Sequence, residues 1–332
     1  MKNILVTGGA GFIGSNFIHY LFENTSFDGK VINVDKLTYA GNLDNLGEIP
    51  KKYGKRYFFE EADIIDYDRI IGIFERYDID TIVHFAAESH VDRSIIGPSD
   101  FVMTNVLGTF NLLEVARKYW SDFHGKRFHH VSTDEVYGSL GKTGYFFENT
   151  AYNPRSPYSA SKASSDHFVR AYFHTYGLPV SISNCSNNYG PRQFTEKLIP
   201  FMIKNMLEGK PLPIYGDGKN IRDWLYVDDH CSAIWLILNN GNIGEIYNIG
   251  GECELENMDL LNILCEVVAK KTGKEKDHYK KLISFVKDRP GHDKRYAINC
   301  NKIKMELGWK HKVSFEDGIK KTVDWYLENI KY

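Results

Sequence analysis

The chain has 332 residues, 42% hydrophobic and 25% charged, a balance that builds a large buried core and excludes disordered or fibrous polymers. A formal net charge of −2 argues against a nucleic-acid surface, where Lys and Arg cluster, and no stretch approaches the ~20 apolar residues of a membrane helix. Five cysteines, Cys185, Cys231, Cys253, Cys265 and Cys300, form no C-x-x-C pair, which points to reduced, mostly buried thiols in a cytoplasm.

The opening "MKNILVTGG" runs straight into a strand and a glycine turn, which leaves no room for a signal peptide. Apolar runs then follow at "NILVTG", "KVINVD", "RYFFEEAD", "DTIVHFAA" and "RFHHVST", each short and apolar enough for a parallel strand buried on both faces. Helical periodicity lies between them, at residues 12–22, 67–76 and 100–119. In the last, Phe101, Val102, Val106, Phe110, Leu113 and Val115 recur at helical spacing. A helix over residues 158–176 leads to a further strand, "PVSISNC". This alternation is that of a Rossmann-like, doubly wound α/β sheet.

After Asn188 the texture changes. "NNYGPRQ", "EGKPLPIYGDGKN", "GGECELEN" and "KDRPGHDKRY" are rich in turn residues, with helical segments at residues 197–207, 229–238, 258–271 and 315–329. The division expected is a sheet domain over residues 1–188 and a smaller mixed α/β substrate-binding domain over most of 189–332. The chain returns to the sheet within residues 228–251, near "EIYNIG".

"TGGAGFIG" places Gly8, Gly11 and Gly14 between the first strand and the first helix. Gly8 permits the tight turn, Gly11 lets backbone approach a pyrophosphate, and Gly14 lets the helix pack on the strand; the free N–H groups of the helix N-terminus then face phosphate. Asp35 ends the second strand about 20 residues later, where a carboxylate accepts both adenosine ribose hydroxyls and repels a 2′-phosphate. No Arg follows it within the next few residues, although Lys36 does, so NAD is expected in preference to NADP.

"YSASK" sets Tyr158 and Lys162 four residues apart, on one helix face. A free phenol titrates near 10, too high for a base at neutral pH. A neighbouring ammonium, together with an oxidised nicotinamide, is expected to lower it by about 1–3 units. "YGDGK", Tyr215 to Lys219, has the same spacing, but its two glycines predict a turn. In "VSTDEVYG" a strand ends on Thr133 and two acids follow, Asp134 and Glu135. At the carboxyl end of a central parallel strand such a pair stands where ligands bind, and suits one proton donor and one acceptor. His84, His90, His129 and His130 fit no zinc spacing and are expected to be structural; no metal is expected.

These motifs, with "DKLTYAGN", "HFAAESHVDRSI", "NNYGPRQFTEKLIP", "GDGKNIRDWLYVDDH" and "DRPGHDKRYAI", resemble the extended short-chain dehydrogenase/reductases, and among them the nucleotide-sugar 4,6-dehydratases. The resemblance spans essentially the whole chain. It implies that Phe12 and Ile13 lie along the pyrophosphate, that Asp35, Lys36, Leu37 and Thr38 surround the ribose, and that Asp63 and Ile64 hold the adenine. Phe85, Ala86, Ala87, Glu88, Ser89 and Thr104 would line the other side of the cofactor. Lys162 would hold the nicotinamide ribose, with Asn188 nearby. For the sugar nucleotide it implies Ser89, Thr133, Asn187, Lys197, Leu198, Pro213, Ile214, Tyr215, Arg222, Asn257, Asp288, Arg289, Pro290, Gly291 and His292.

The implied reaction is NAD-dependent conversion of dTDP-glucose to its 4-keto-6-deoxy derivative, a precursor of deoxysugars such as rhamnose. In it Tyr158 serves O4 with Thr133 as partner, Asp134 is the acid at O6, and Glu135 the base at C5. A homodimer through the helices at 100–119 and 158–176 is also implied. A 4-epimerase of nucleotide sugars would share the loop, Tyr158 and Lys162 but has no use for the two acids. A decarboxylase would need a carboxylate-binding group in their place, and a non-catalytic NAD-binding regulator would have a broken catalytic set. Thymidine against uridine stays open.

Overall fold

The structure, a computed structural model, is described for residues 1–329. Twelve strands are present among the described residues. In chain order they are β1 (Asn3–Thr7), β2 (Lys30–Asp35), β3 (Tyr57–Glu61), β4 (Thr81–His84), β5 (Arg127–Thr133), β6 (Val180–Cys185), β7 (Asn187–Tyr189), β8 (Leu212–Tyr215), β9 (Ile221–Tyr226), β10 (Ile246–Ile249), β11 (Glu254–Glu256) and β12 (Ile283–Val286). Seven form one parallel sheet in the order β10-β6-β5-β4-β1-β2-β3. The chain winds outward from β1 to β3, returns to the far side of β1 as β4, and winds the other way. That reversal leaves a crevice at the carboxyl ends of β1 and β4, where open α/β sheets bind ligands.

All six sheet strands read from the first half are present, and "EIYNIG" returns as β10 beside β6. Ile4, Leu5 and Val6 of β1 and Val31, Ile32 and Val34 of β2 are completely buried, as helices on both faces require. The helix Val227–Asn240 belongs to this body, since Val227, Cys231, Ile234 and Leu238 share a cluster with Phe17, Ile18 and Leu21.

Beyond β6 a three-stranded sheet, β11-β9-β7, and a two-stranded one, β12-β8, lie among helices. Their apolar cluster, which includes Tyr189, Ile203, Leu212, Trp224, Leu264 and Tyr326, draws wholly on residues after Asn188. These strands run only three to six residues, too short to carry a periodic signal. "YGDGK" is a turn, with Gly216 at φ +59° and Gly218 at φ +74°.

The helix expected over 100–119 is not continuous. It consists of Pro98–Phe101, a π-helical stretch Val102–Gly108, and Thr109–Tyr119. The wider turn shifts the apolar register, so Val102 is exposed while Phe101 and Leu113 are buried. Gly108 also lets this segment close on Ile64, whose Cδ1 lies 2.4 Å from where a Cβ would sit. In exchange Asn105 reaches Glu88, accepting its N–H at 2.8 Å and donating to its carbonyl at 3.0 Å.

Candidate active site

The crevice is built on the glycine turn. Gly8 lies at φ +71°, and a Cβ on it would sit 2.7 Å from the Ala86 nitrogen. A Cβ on Gly14 would stand 2.3 Å from the Gly8 carbonyl oxygen, so helix and strand pack closer than any side chain permits. The helix Phe12–Asn24 is capped by Gly11 without a side-chain hydrogen bond, which leaves its first N–H groups for an incoming anion. Asp35 ends β2 and accepts the N–H groups of Ala10 (3.0 Å, Oδ2) and Leu37 (2.9 Å, Oδ1). Its remaining lone pairs face the cavity. Lys36 is drawn into an ion pair with Asp63 at 3.1 Å. A cavity of about 300 Å³ opens here. Gly8, Gly11, Phe12, Ile13, Gly14, Asp35, Lys36, Thr38, Phe85, Ala87, Glu88, Ser89, Thr104 and Asn188, of the residues expected around the cofactor, line it. Leu37, Asp63, Ile64 and Ala86 do not: Ala86 backs the glycine turn, Ile64 packs on Gly108, and Asp63 is occupied by Lys36. Turn, helix end and Asp35 together fit a dinucleotide.

The helix Pro157–Tyr176 starts with a capping box between Ser156 and Ser159, and Pro157 fixes its first turn. This sets the phase that brings Tyr158 and Lys162 together onto the cavity. The protein's own groups do not lower the phenol. Burial, then the Glu135 carboxylate, then Cys185, push Tyr158 well above its ordinary range, opposed by a hydrogen bond with Thr133. The reason is geometric: Lys162 Nζ donates to the Val131 carbonyl at 2.8 Å, and burial has pulled the lysine itself down to about 8.

β5 ends on Thr133 and passes into a 3-10 turn, Asp134–Tyr137, closed by Gly138 at φ +88°. The Thr133 hydroxyl accepts the Glu135 N–H at 3.3 Å and donates toward Asp134 Oδ1 at 3.5 Å. The turn separates the two acids. Glu135 lines the cavity, whereas Asp134 is tucked behind it, 2% exposed, with Oδ2 lacking any protein partner. Burial raises both, but unequally. Asp134 is held well above its ordinary value by burial, then by Glu135 and Asp223. The rise at Glu135 is opposed by three cations, Arg289, Arg222 and Lys197. Asp134 is thus the more strongly biased toward the neutral form, and the cations temper that bias at Glu135.

Asn187 and Lys197 also line the cavity; Lys197 Nζ donates to the Ser89 carbonyl at 2.8 Å. Arg222 is buried on β9 and donates to the Asp293 carbonyl at 3.0 Å. Arg289 and Tyr215 converge on Asp92, at 3.1 and 3.2 Å, and His292 Nδ1–H donates to the Asp288 carboxylate at 2.6 Å. Leu198 opens the helix Leu198–Glu208, Asn257 opens Asn257–Lys271 with a buried, unpartnered Oδ1, and Pro213 and Ile214 lie on β8. Gly291, at φ +66°, turns the chain just beyond Pro290. Leu198, Asn257, Pro213 to Tyr215 and Asp288 to His292 stand outside the cavity lining itself. Asp92 and Glu196 were missed. Their signal was the charge pattern in "HVDRSI" and "TEKL", unreadable until Asp92 met Arg289 and Glu196 met Arg93 at 3.4 Å.

His84 is held by Thr7 (2.7 Å) and Thr109 (2.9 Å), and His129 by Ser181 and Ser183 at 2.9 and 3.1 Å, as expected of structural histidines.

The family model described as GDP-mannose 4,6 dehydratase matches residues 5–322. A probable dTDP-glucose 4,6-dehydratase of Sinorhizobium fredii is 58% identical over 331 residues, 98% of this chain and 93% of that protein. The dTDP-glucose 4,6-dehydratase of Salmonella typhimurium is 55% identical over 347 residues, 99% of this chain and 94% of that one. A dTDP-glucose 4,6-dehydratase from Streptomyces venezuelae, solved with NAD bound, superimposes with a TM-score of 0.91 at 47% identity, covering 99% of this chain and 98% of that one.

Proposed function

The chain belongs to the family of GDP-mannose 4,6 dehydratases, and we propose that it dehydrates dTDP-glucose to dTDP-4-keto-6-deoxyglucose, with NAD held through the catalytic cycle. The observation that carries this reading is the Thr133–Asp134–Glu135 turn, which gives two adjacent acids unequal surroundings beside Tyr158, Asp134 dry and Glu135 on the cavity with three cations opposing its rise. An epimerase has no use for that asymmetry. The substrate is supported by relatives 53–58% identical over nearly the whole chain and named for dTDP-glucose. NAD is supported by Asp35 at the cavity and by Lys36, whose charge Asp63 already engages.

When bound, NAD supplies the acceptor for hydride from C4 and returns that hydride to C6. Tyr158 takes the O4 proton, and Thr133 orients the phenol. The C4 ketone acidifies C5, and Glu135 removes that proton. Asp134 protonates the C6 hydroxyl, which leaves as water. Glu135 then gives its proton back to C5. The count leaves Tyr158 with one proton more and Asp134 with one fewer. Thr133, hydrogen-bonded to the phenol and 3.5 Å from Asp134, stands between them as the path for that proton's return. Arg222, Arg289 and Lys197 hold the diphosphate, and the arginine forks suit its oxygens. Residues 1–188, with 228–251, carry NAD; the remainder carries most of the nucleotide sugar.

Incubation with dTDP-glucose labelled with deuterium at C4 tests the reading. Loss of one water with the label recovered on C6 is the expected result. An unchanged mass with inverted C4 establishes the epimerase instead, and no reaction favours another nucleotide, beginning with UDP-glucose.

A homodimer is proposed through the two helical segments that flank the site. Its support is the exposed Val102, Met103, Phe168 and Tyr176, large apolar side chains on those segments. Sedimentation at micromolar concentration is expected to give the dimer mass, and a monomer would refute it. The cytoplasm is the proposed setting. Among the described residues the five cysteines are free thiols, and no helix is long and apolar enough to cross a membrane.

A further inference from the structure

Behind Lys162 lies a buried polar cluster that the reaction as written does not use. Asp166 follows Lys162 by one helical turn and is wholly buried. Its Oδ2 accepts hydrogen bonds from the Ser132 hydroxyl and the Tyr152 hydroxyl, both at 2.9 Å. Its Oδ1 stands 3.3 Å from His130 Nε2, and the same nitrogen is 3.5 Å from Lys162 Nζ. His130 Nδ1 has no partner. Asp166 Oδ1 likewise has no hydrogen-bond partner, and His130 Nε2 accepts from Lys162. Two hydroxyls therefore converge on this carboxyl, donors that stabilise its ionised form.

Lys162 has no hydrogen-bonded carboxylate of its own. Its partners are the Val131 carbonyl and His130. The titratable groups packed about it are His84 from β4, His130 from β5, Cys185 from β6, and Tyr158 and Asp166 from its own helix. Burial drives both histidines toward the neutral form, pushes the thiol up to about 12, and raises the phenol. Asp166, at about 6, is the one group of this set that is an anion at neutral pH. An ammonium in a dry interior reverts to the amine unless a nearby charge holds its proton.

We propose that Asp166 is a positioning residue for the reaction: held by Ser132 and Tyr152 one helical turn from Lys162, it is the buried counter-charge that keeps Lys162 an ammonium and so keeps that side chain serviceable to Tyr158 and the nicotinamide ribose. The proposal rests on the role of Lys162 given above. Burial alone pulls Lys162 down, and the Asp166 charge is the largest opposing influence, leaving it at about 8. Without that charge the lysine releases its proton at lower pH, so a working site is lost from the alkaline side first.

The test follows the Lys162 Nζ resonance in full-length protein labelled with nitrogen-15 at lysine, with and without NAD, the signal being assigned by its loss in Lys162→Met. Asp166→Asn is expected to lower the Lys162 titration by about 1–3 pH units. Its rate loss should deepen as pH rises and shrink toward wild type as pH falls, with Asp166→Glu restoring part of both. An unmoved lysine titration, or a rate lowered by one factor at every pH, overturns the proposal and leaves Asp166 a packing residue. Should Asp166→Asn fail to fold, carbon-13 labelling of the wild-type Asp166 carboxyl decides. It is expected to be ionised between pH 7 and 9, and a protonated carboxyl there beside a charged Lys162 refutes the counter-charge. The lysine titration needs no turnover, so its outcome is independent of whether dTDP-glucose is the substrate.

Discussion

Glu135→Gln is expected to reduce bound NAD when dTDP-glucose is added, yet to form product about 10²–10⁴ times more slowly than wild type. Oxidation at C4 depends on Tyr158, Thr133 and Lys162, which the substitution leaves in place. Elimination needs a base at C5, and an amide cannot accept that proton. Glutamine keeps the size of the side chain and its place on the turn, so loss through misfolding is not the expected cause. The measurement is stopped-flow absorbance of the reduced nicotinamide alongside product formation. A normal product rate would remove Glu135 from the C5 position, and absence of any reduction would show that the side chain also serves the first step. The three cations that oppose the upward shift of Glu135 have a further consequence. Glutamine leaves Arg222, Arg289 and Lys197 without their anion, so nucleotide affinity is expected to hold or rise while turnover falls.

Asp134→Asn is expected to cost about as much, 10²–10⁴ in product formation, and to stall at a different point. The buried carboxyl is held neutral, which is what a donor to the departing C6 hydroxyl requires. Asparagine preserves shape but has no transferable acidic proton. C4 should be oxidised, and Glu135 should still exchange the C5 proton with solvent. In deuterium oxide the variant is therefore expected to build up oxidised sugar deuterated at C5 with its C6 hydroxyl retained. Glu135→Gln should accumulate oxidised sugar without that exchange. Finding exchange in the Gln variant and none in the Asn variant would reverse the two assignments.

Much of the framework was open to reading because it rests on neighbours in sequence. Buried parallel strands declare themselves as short apolar runs, and β1 to β6 were each located that way. A glycine turn between strand and helix has few other uses, and at Gly8 and Gly14 backbone approaches too closely for a side chain. The spacing of Tyr158 and Lys162 needed only a helix, and Pro157 marked its start. The π-helical stretch Val102–Gly108 was hidden for the complementary reason. One widened turn leaves the apolar composition unchanged, and what favours it is the distant Asn105–Glu88 pairing and the approach to Ile64.

The sequence by itself determined the fold class, the NAD-type loop, and which titratable side chains stand together at its strand and helix ends, because helix phase, strand burial and turn chemistry are properties of a few consecutive residues. Only the tertiary structure decided what those groups are worth. Asp134 and Glu135 are adjacent in the chain, yet one meets a dry pocket and Asp223 while the other faces Arg222, Arg289 and Lys197. Tyr158 is placed on the same ground: Lys162 turns to Val131 and takes its charge balance from Asp166, so the lysine by itself does not ease the phenol. Proton affinity is set by burial and by charges brought together from distant parts of the chain, and neither is written in local spacing.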